Sequence, residues 1–116
     1  MRAGRPIGPS PRSQQVARAF IDAHIPTEVT SKVLDALWVK LTINCAYNAL
    51  SALTQLTYGE LITRPGMAQT MRSVVDECHA VAAAAGFVLP ARIWDDVLEI
   101  ARSMSRQRSS TAQDVA

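Results

Sequence analysis

Three side chains in the stretch Leu37-Trp38-Val39-Lys40-Leu41-Thr42-Ile43-Asn44-Cys45-Ala46-Tyr47-Asn48 have the types and spacing to do chemistry together: Lys40, Asn44 and Asn48. At about 100° per residue each step of four drifts by only ~40°, so the three form a row along one helix face. An ammonium and two carboxamides spread over ~12 Å of helix rise suit a small, oxygen-rich acid. A desolvated ammonium can stabilise negative charge developing on an oxygen and also give up a proton to it. Val33, Leu37 and Leu41 share the arc, flanked by Leu34 and Cys45, so the pattern points the row at the core. Burying an unpaired ammonium costs several kcal/mol, so the row must meet something polar, in a ligand or elsewhere in the protein. The plainer alternative is that Lys40 snorkels or pairs with a carboxylate while the asparagines satisfy loop backbone.

The elements that must position this row are helices. The chain has 116 residues, one domain's worth. It is 48% apolar with only 5% aromatic residues, and Ala and Leu are abundant while β-branched runs are scarce, which favours an all-α helical bundle. The net charge of +2 is small, and Arg2, Arg5, Arg12, Arg102, Arg106 and Arg108 lie toward the two ends instead of lining one face, which argues against nucleic acid as a partner. Cys45 and Cys78 fall in apolar helical patterns and read as small hydrophobes, and His24 and His79 stand far apart, so no metal site is expected. Without an N-terminal apolar segment or a run of 18 apolar residues, neither secretion nor a membrane span is expected; a reduced, cytoplasmic setting fits.

Residues 1–9 carry two prolines and two glycines and read as a connector from something upstream. Ser10-Pro11 then caps a first helix with Val16, Ala17, Phe20 and Ile21 as its stripe, stopped by Pro26. Thr30 caps the second and longest helix, roughly 31–53, which becomes apolar on every side from Ile43 onward. A short piece starts at Gly59-Glu60-Leu61, and a fourth helix over about 65–85 places Met67, Met71, Val74, Cys78, Val81, Ala82 and Ala85 on one stripe, ended by Gly86 at C′. A fifth helix opens at Pro90 and turns Ile93, Val97, Ile100, Ala101 and Met104 inward. Its Asp95, Asp96 and Glu99 belong to the solvated face and not to an acid/base pair. Ser109-Ser110 begins a last helix just before the chain stops, so both ends read as cut.

Trp38-x-Lys40-Leu41-x-x-Asn44-x-x-x-Asn48, then Leu50-Ser-Ala-Leu-Thr, Gly59-Glu60-Leu61, Glu77 with Ala82 to Gly86, and Ser109-Ser110-x-x-Gln113-Asp114 resemble, in order, the C-terminal helical domain of the ketopantoate reductases. The resemblance implies a fold like that of 6-phosphogluconate dehydrogenase-like proteins, with 10–116 as the helical domain and the N-terminal Rossmann domain absent. It also implies NADPH as cofactor, held mainly by that missing domain, and reduction of 2-dehydropantoate to pantoate on the way to coenzyme A. By position, Lys40 would be the general acid, Asn44 and Asn48 would bind substrate, and Ser110 would hold its carboxylate. Two departures stand out: the family's substrate-binding glutamate beyond the Ser-Ser pair has no counterpart before Ala116, and Tyr58 stands where relatives can carry an asparagine. The fragment alone is therefore expected to be inactive. A related 2-keto acid dehydrogenase domain and a non-catalytic helical module that forms a homodimer are the alternatives.

Overall fold

The computed structural model describes residues 8–116 and contains six helices among them: α1 (Pro11–Asp22), α2 (Val33–Thr54), α3 (Tyr58–Thr63), α4 (Met67–Ala84), α5 (Ile93–Ser103) and α6 (Ser110–Asp114). No strand occurs among the described residues, as the composition requires. Contacts divide the chain into two compact units, Met1–Leu37 and Trp38–Ala116, and α2 runs from the first into the second. Of the connector expected at residues 1–9, residues 1–7 lie outside the described residues.

In the first unit, Ser10 and Ser13 form a reciprocal capping box: the Ser13 N–H donates to Ser10 Oγ at 3.1 Å and the Ser10 N–H to Ser13 Oγ at 2.8 Å. The helix ends before Pro26. His24 takes a left-handed conformation (φ 63°), its N–H bonds the Ile21 carbonyl at 2.9 Å, and the Ile25 N–H bonds Phe20 at 2.9 Å, the paired bonds of a Schellman end. The stripe expected on α1 is not buried: only Ala17 is covered, while Val16, Phe20 and Ile21 are each about half exposed. Among the described residues of this unit α1 is the one complete helix.

The second unit holds the core. Ala46 and Tyr47 of α2, Leu61 of α3, Met71, Val75 and Ala82 of α4, Leu89, and Ile93, Val97 and Ala101 of α5 form one buried cluster. On α4 the buried line runs through Met71, Val75 and Ala82 with Cys78 half-buried, so the inward face is turned from the expected one and Val81 is exposed. Gly86 takes C′ as expected (φ 86°), its N–H bonding Ala83 and that of Phe87 bonding Ala82. α5 starts at Ile93, three residues after Pro90, and turns Ile93, Val97 and Ala101 inward with Ile100 half-buried, but Met104 is its C-cap and is exposed. Asp96 pairs with Arg92 and Glu99 with Arg102 on the outer side, where such pairs contribute little.

Tyr47 ties α2 to α5 by donating its hydroxyl to the Val97 carbonyl, and its ring lies 4.4 Å from that of Tyr58. Burial, with the neighbouring Tyr58 phenol second, pushes the Tyr47 hydroxyl up to about 12. α3 is docked by backbone: the Tyr58 N–H donates to Gln107 at 2.8 Å and the Gly59 N–H to Ser105 at 3.0 Å. A Cβ at Gly59 would stand 2.9 Å from the Ser105 Cβ and 3.0 Å from its carbonyl oxygen, so this approach requires glycine.

Candidate functional site

The helix that carries the row turns its buried face as it proceeds. Over its first turns in the second unit the covered positions are Thr42 and Ala46, flanked by half-buried Trp38, Val39 and Ile43; further on they are Tyr47 and Ser51. Lys40 and Asn44 lie opposite the first set and are exposed, together with Leu41 and Cys45. Asn48 is half-buried because the covered face has by then rotated toward it. The expectation that the row points into the core is therefore corrected. The apolar residues that suggested it, Leu37 and Leu41, are 53% and 48% exposed, and the buried positions are Thr42, Ala46, Tyr47 and Ser51 instead.

Ser110, the fourth residue implied by the resemblance, is exposed at the first position of α6, and its placement depends on its neighbour. Ser109 is fully buried and caps α6 by accepting the Ala112 N–H at 3.0 Å. The Ser109 hydroxyl donates to the Asn48 carbonyl at 3.4 Å, and its N–H donates to Ser51 Oγ at 3.1 Å. Ser51 in turn donates to the Leu56 carbonyl at 3.1 Å. Gln55, left-handed at φ 56°, closes the seam from below, its Nε2 donating to the Ala52 carbonyl at 2.9 Å and to the Ala112 carbonyl at 3.2 Å. These bonds hold α6 against the turn of α2 that carries Asn48, so the structure brings Asn48 and the Ser109-Ser110 pair together, with Asn44 and Lys40 one and two turns back along the same helix.

Ser51, Ser109 and Gln55 are positioning residues that the row alone does not reveal. Ser51 carried a signal: a lone hydroxyl inside the apolar run from Ile43 to Leu53 has to find a partner if buried. Gln55 carried none, since its role follows from a backbone conformation. No buried side-chain N or O among the described residues is left without a partner, so the polar side-chain atoms of the core are committed to structure. Two cavities, of about 650 and 540 Å³, lie along α1 and the segment up to Val33, and neither includes any of the four site residues. The row is an open polar ladder and not the shielded hollow that the sequence suggests. Tyr58, the departure noted in the sequence, is used in packing through its ring contact with Tyr47.

The family described as ketopantoate reductase PanE/ApbA C terminal matches residues 32–116. Among curated relatives, the 2-dehydropantoate 2-reductase of Pyrobaculum aerophilum is 41% identical over 80 residues, covering 68% of this chain and 28% of that protein. The 2-dehydropantoate 2-reductase of Vibrio cholerae is 31% identical over 105 residues, covering 90% and 35%. Among solved structures, the PanE/ApbA family ketopantoate reductase from Ralstonia eutropha JMP134 superposes with a TM-score of 0.86 at 48% identity, over 91% of this chain and 36% of that one. The 2-dehydropantoate 2-reductase from Methylococcus capsulatus gives 0.75 at 31%, over 94% and 35%. The chain spans about a third of the length of these relatives.

Proposed function

Because this chain belongs to the family of the ketopantoate reductase PanE/ApbA C-terminal domain, we propose that it supplies the substrate face of a 2-dehydropantoate 2-reductase. The observation that carries the reading is the ladder of Lys40, Asn44 and Asn48 on one side of α2, with α6 pinned by Ser109 and Ser51 so that Ser110 stands at the Asn48 end. Reduction of a 2-keto acid adds hydride to the carbonyl carbon and a proton to the oxygen. Lys40 Nζ is the group that stabilises the charge on that oxygen and delivers the proton. Asn44 and Asn48 donate to the oxygens farther along the substrate, and the Ser110 hydroxyl donates to its carboxylate.

NADPH supplies the hydride in this reading. Among the described residues there is no strand, and hence no strand–turn–helix to cradle a pyrophosphate, so the residues present do not fit a dinucleotide and no step of this chain's chemistry is assigned through it. Binding the nucleotide and covering Lys40 from water fall to the part of the relatives' length that this chain does not span. On its own the chain is a binding face without turnover.

The test is a chimera joining this chain to the remaining portion of the Ralstonia eutropha relative. The chain alone is expected to leave NADPH unoxidised in the presence of 2-dehydropantoate, whereas the chimera oxidises it and K40A lowers kcat by about 10²–10⁴-fold. Turnover that is indifferent to K40A, or a chimera that prefers other 2-keto acids, would overturn the assignment. A second reading, a helical module that pairs with another copy, draws on the half-exposed Leu41 beside Lys40. It predicts a dimer in sedimentation equilibrium that L41D dissociates.

A further inference from the structure

Leu41 interrupts the polar character of the ladder's face. Among the exposed positions of α2 from Lys40 to Asn48 it carries the one large apolar side chain, and that side chain is 48% exposed. Along the helix Leu41 lies about 1.5 Å beyond Lys40 and about 4.5 Å before Asn44, and it stands about 60° round the axis from Asn44. Residues three apart on a helix are surface neighbours, so Leu41 adjoins Asn44, and the exposed Cys45 continues the apolar line one turn on. A single exposed leucine on a protein surface is ordinary. One that borders a row of hydrogen-bonding groups gives the face the build of a small-molecule site, an apolar wall with a few placed polar groups.

We propose that Leu41 is the specificity-determining residue of this face: it packs on the two methyl groups of 2-dehydropantoate and sets the preference for that acid over unbranched 2-keto acids. The inference rests on the reading of the ladder as a substrate face and deepens it. In 2-dehydropantoate the carbon bonded to the reacting carbonyl carbon is quaternary and carries both methyls, with a hydroxymethyl group beyond. A substrate whose carbonyl oxygen is held by Lys40 therefore keeps its methyls one bond from the carbon that receives hydride. Leu41, next to Lys40 in the chain and exposed on the same face, is the large apolar side chain that α2 offers there. The donors Lys40, Asn44, Asn48 and Ser110 serve any hydroxylated 2-keto acid, so they recognise the class and not the branch. Methyl groups offer no hydrogen bond and are read only through apolar surface removed from water. A missing methylene in an apolar contact changes kcat/KM by about 10–200-fold, and a half-exposed wall on one side of the substrate belongs at the lower end, ~10-fold.

The chimera is assayed with 2-dehydropantoate and with 4-hydroxy-2-oxobutanoate, the same acid without its two methyls. L41A should lower kcat/KM for 2-dehydropantoate by about 10-fold and leave that for the unbranched acid within about twofold, while L41M, of similar volume, keeps most of the preference. Equal losses on both acids, or a preference untouched by L41A, overturn the role of Leu41 and leave the ladder standing. Turnover indifferent to K40A instead removes the reading on which the role rests. The chain alone gives a second readout by NMR: 2-dehydropantoate should shift the Leu41 δ-methyl resonances more than the unbranched acid does. Equal or absent shifts sink the contact even where the chimera is inactive, and a dimer that L41A dissociates assigns the leucine to a subunit contact and overturns the proposal.

Discussion

Replacing Ser51 with Ala tests the reasoning that places α6, because it deletes one oxygen and almost no volume. Ser51 is fully buried, and its hydroxyl serves two backbone groups, accepting from the Ser109 N–H at 3.1 Å and donating to the Leu56 carbonyl at 3.1 Å. Ser109 is also fully buried, so its N–H loses its partner with no access to water, at a cost of about 1–3 kcal/mol. Leu56 is half-buried and its carbonyl can recover part of its hydration, which adds about 1 kcal/mol. The sum, ~2–4 kcal/mol, is a large share of the ~5–15 kcal/mol expected for a domain. Both tryptophans, Trp38 and Trp94, lie in the second unit, so urea unfolding followed by tryptophan fluorescence reports on that unit alone. With an m-value of ~1–2 kcal/mol/M the midpoint should fall by about 1–4 M, and hydrogen exchange at the Ala112 and Gln113 amides of α6 should speed up in step. S110A is the control: the adjacent hydroxyl is exposed and makes none of these bonds, so it should cost no more than ~0.5 kcal/mol. A loss below ~0.5 kcal/mol in S51A with α6 protection intact, or equal losses in S51A and S110A, would refute the claim that this seam positions α6.

Three further outcomes follow from packing and protonation. G59A drives a Cβ to 2.9 Å from Ser105 Cβ and 3.0 Å from its carbonyl oxygen, so it should cost about 1–3 kcal/mol in urea unfolding; a neutral result would mean the 105–107 backbone yields freely. Tyr47 has its hydroxyl raised from the ordinary 10.0 to about 12, so its contribution is complete below pH 10 and drains away as the pH climbs toward 12. Y47F should lose about 1 kcal/mol at neutral pH and flatten that alkaline decline, as read from urea midpoints across the pH range. Glu60 is held below its ordinary 4.5, first by the Thr57 N–H and then by the Thr57 hydroxyl, so its stabilising share is present above pH 4.5 and lost as acid protonates it in the folded state. E60Q should therefore unfold with a shallower acid dependence than the parent, and an unchanged acid limb would show that the capping box contributes nothing to it.

Much of the architecture was legible because it is local. Ser10-Pro11, Gly86 and Ser109 announce helix ends through chemistry carried within a few residues, and all three sit where the caps are found, whereas the capping box of Thr57 with Glu60 reads in the sequence as part of a turn. The ends set by His24 and Gln55 were not legible, since nothing in a histidine or a glutamine advertises a left-handed backbone. The candidate residues were legible as a row, but not which way the row faces. Periodicity on α2 is nearly uniform because apolar residues occur all round it, so the pattern does not distinguish the side of Thr42, Ala46, Tyr47 and Ser51, which is buried, from the side of Leu37 and Leu41, which is not. On α4 the inward face is likewise turned from the pattern, with Val75 buried and Val81 exposed, and as both are valines size does not account for the choice.

The exposure of Lys40 sets what this chain can do alone and what it needs in order to do more. At 4 Å an ammonium stabilises a unit negative charge by ~1 kcal/mol in water and by ~4 kcal/mol at the effective dielectric of a partly enclosed protein site. In the open state seen here Lys40 is thus worth about fivefold in affinity for a small acid, and K40A should weaken binding of 2-dehydropantoate to the chain by no more than that, measured by calorimetry at low salt. In the proposed function, where the domain joined in the chimera covers Lys40, the same substitution should forfeit ~3 kcal/mol more together with the proton donor, so the loss is expected in kcat and not in KM. If K40A in the uncovered chain cost as much as it does in the chimera, the ammonium would already be working in a low-dielectric site, and the cover would have to act on something other than Lys40.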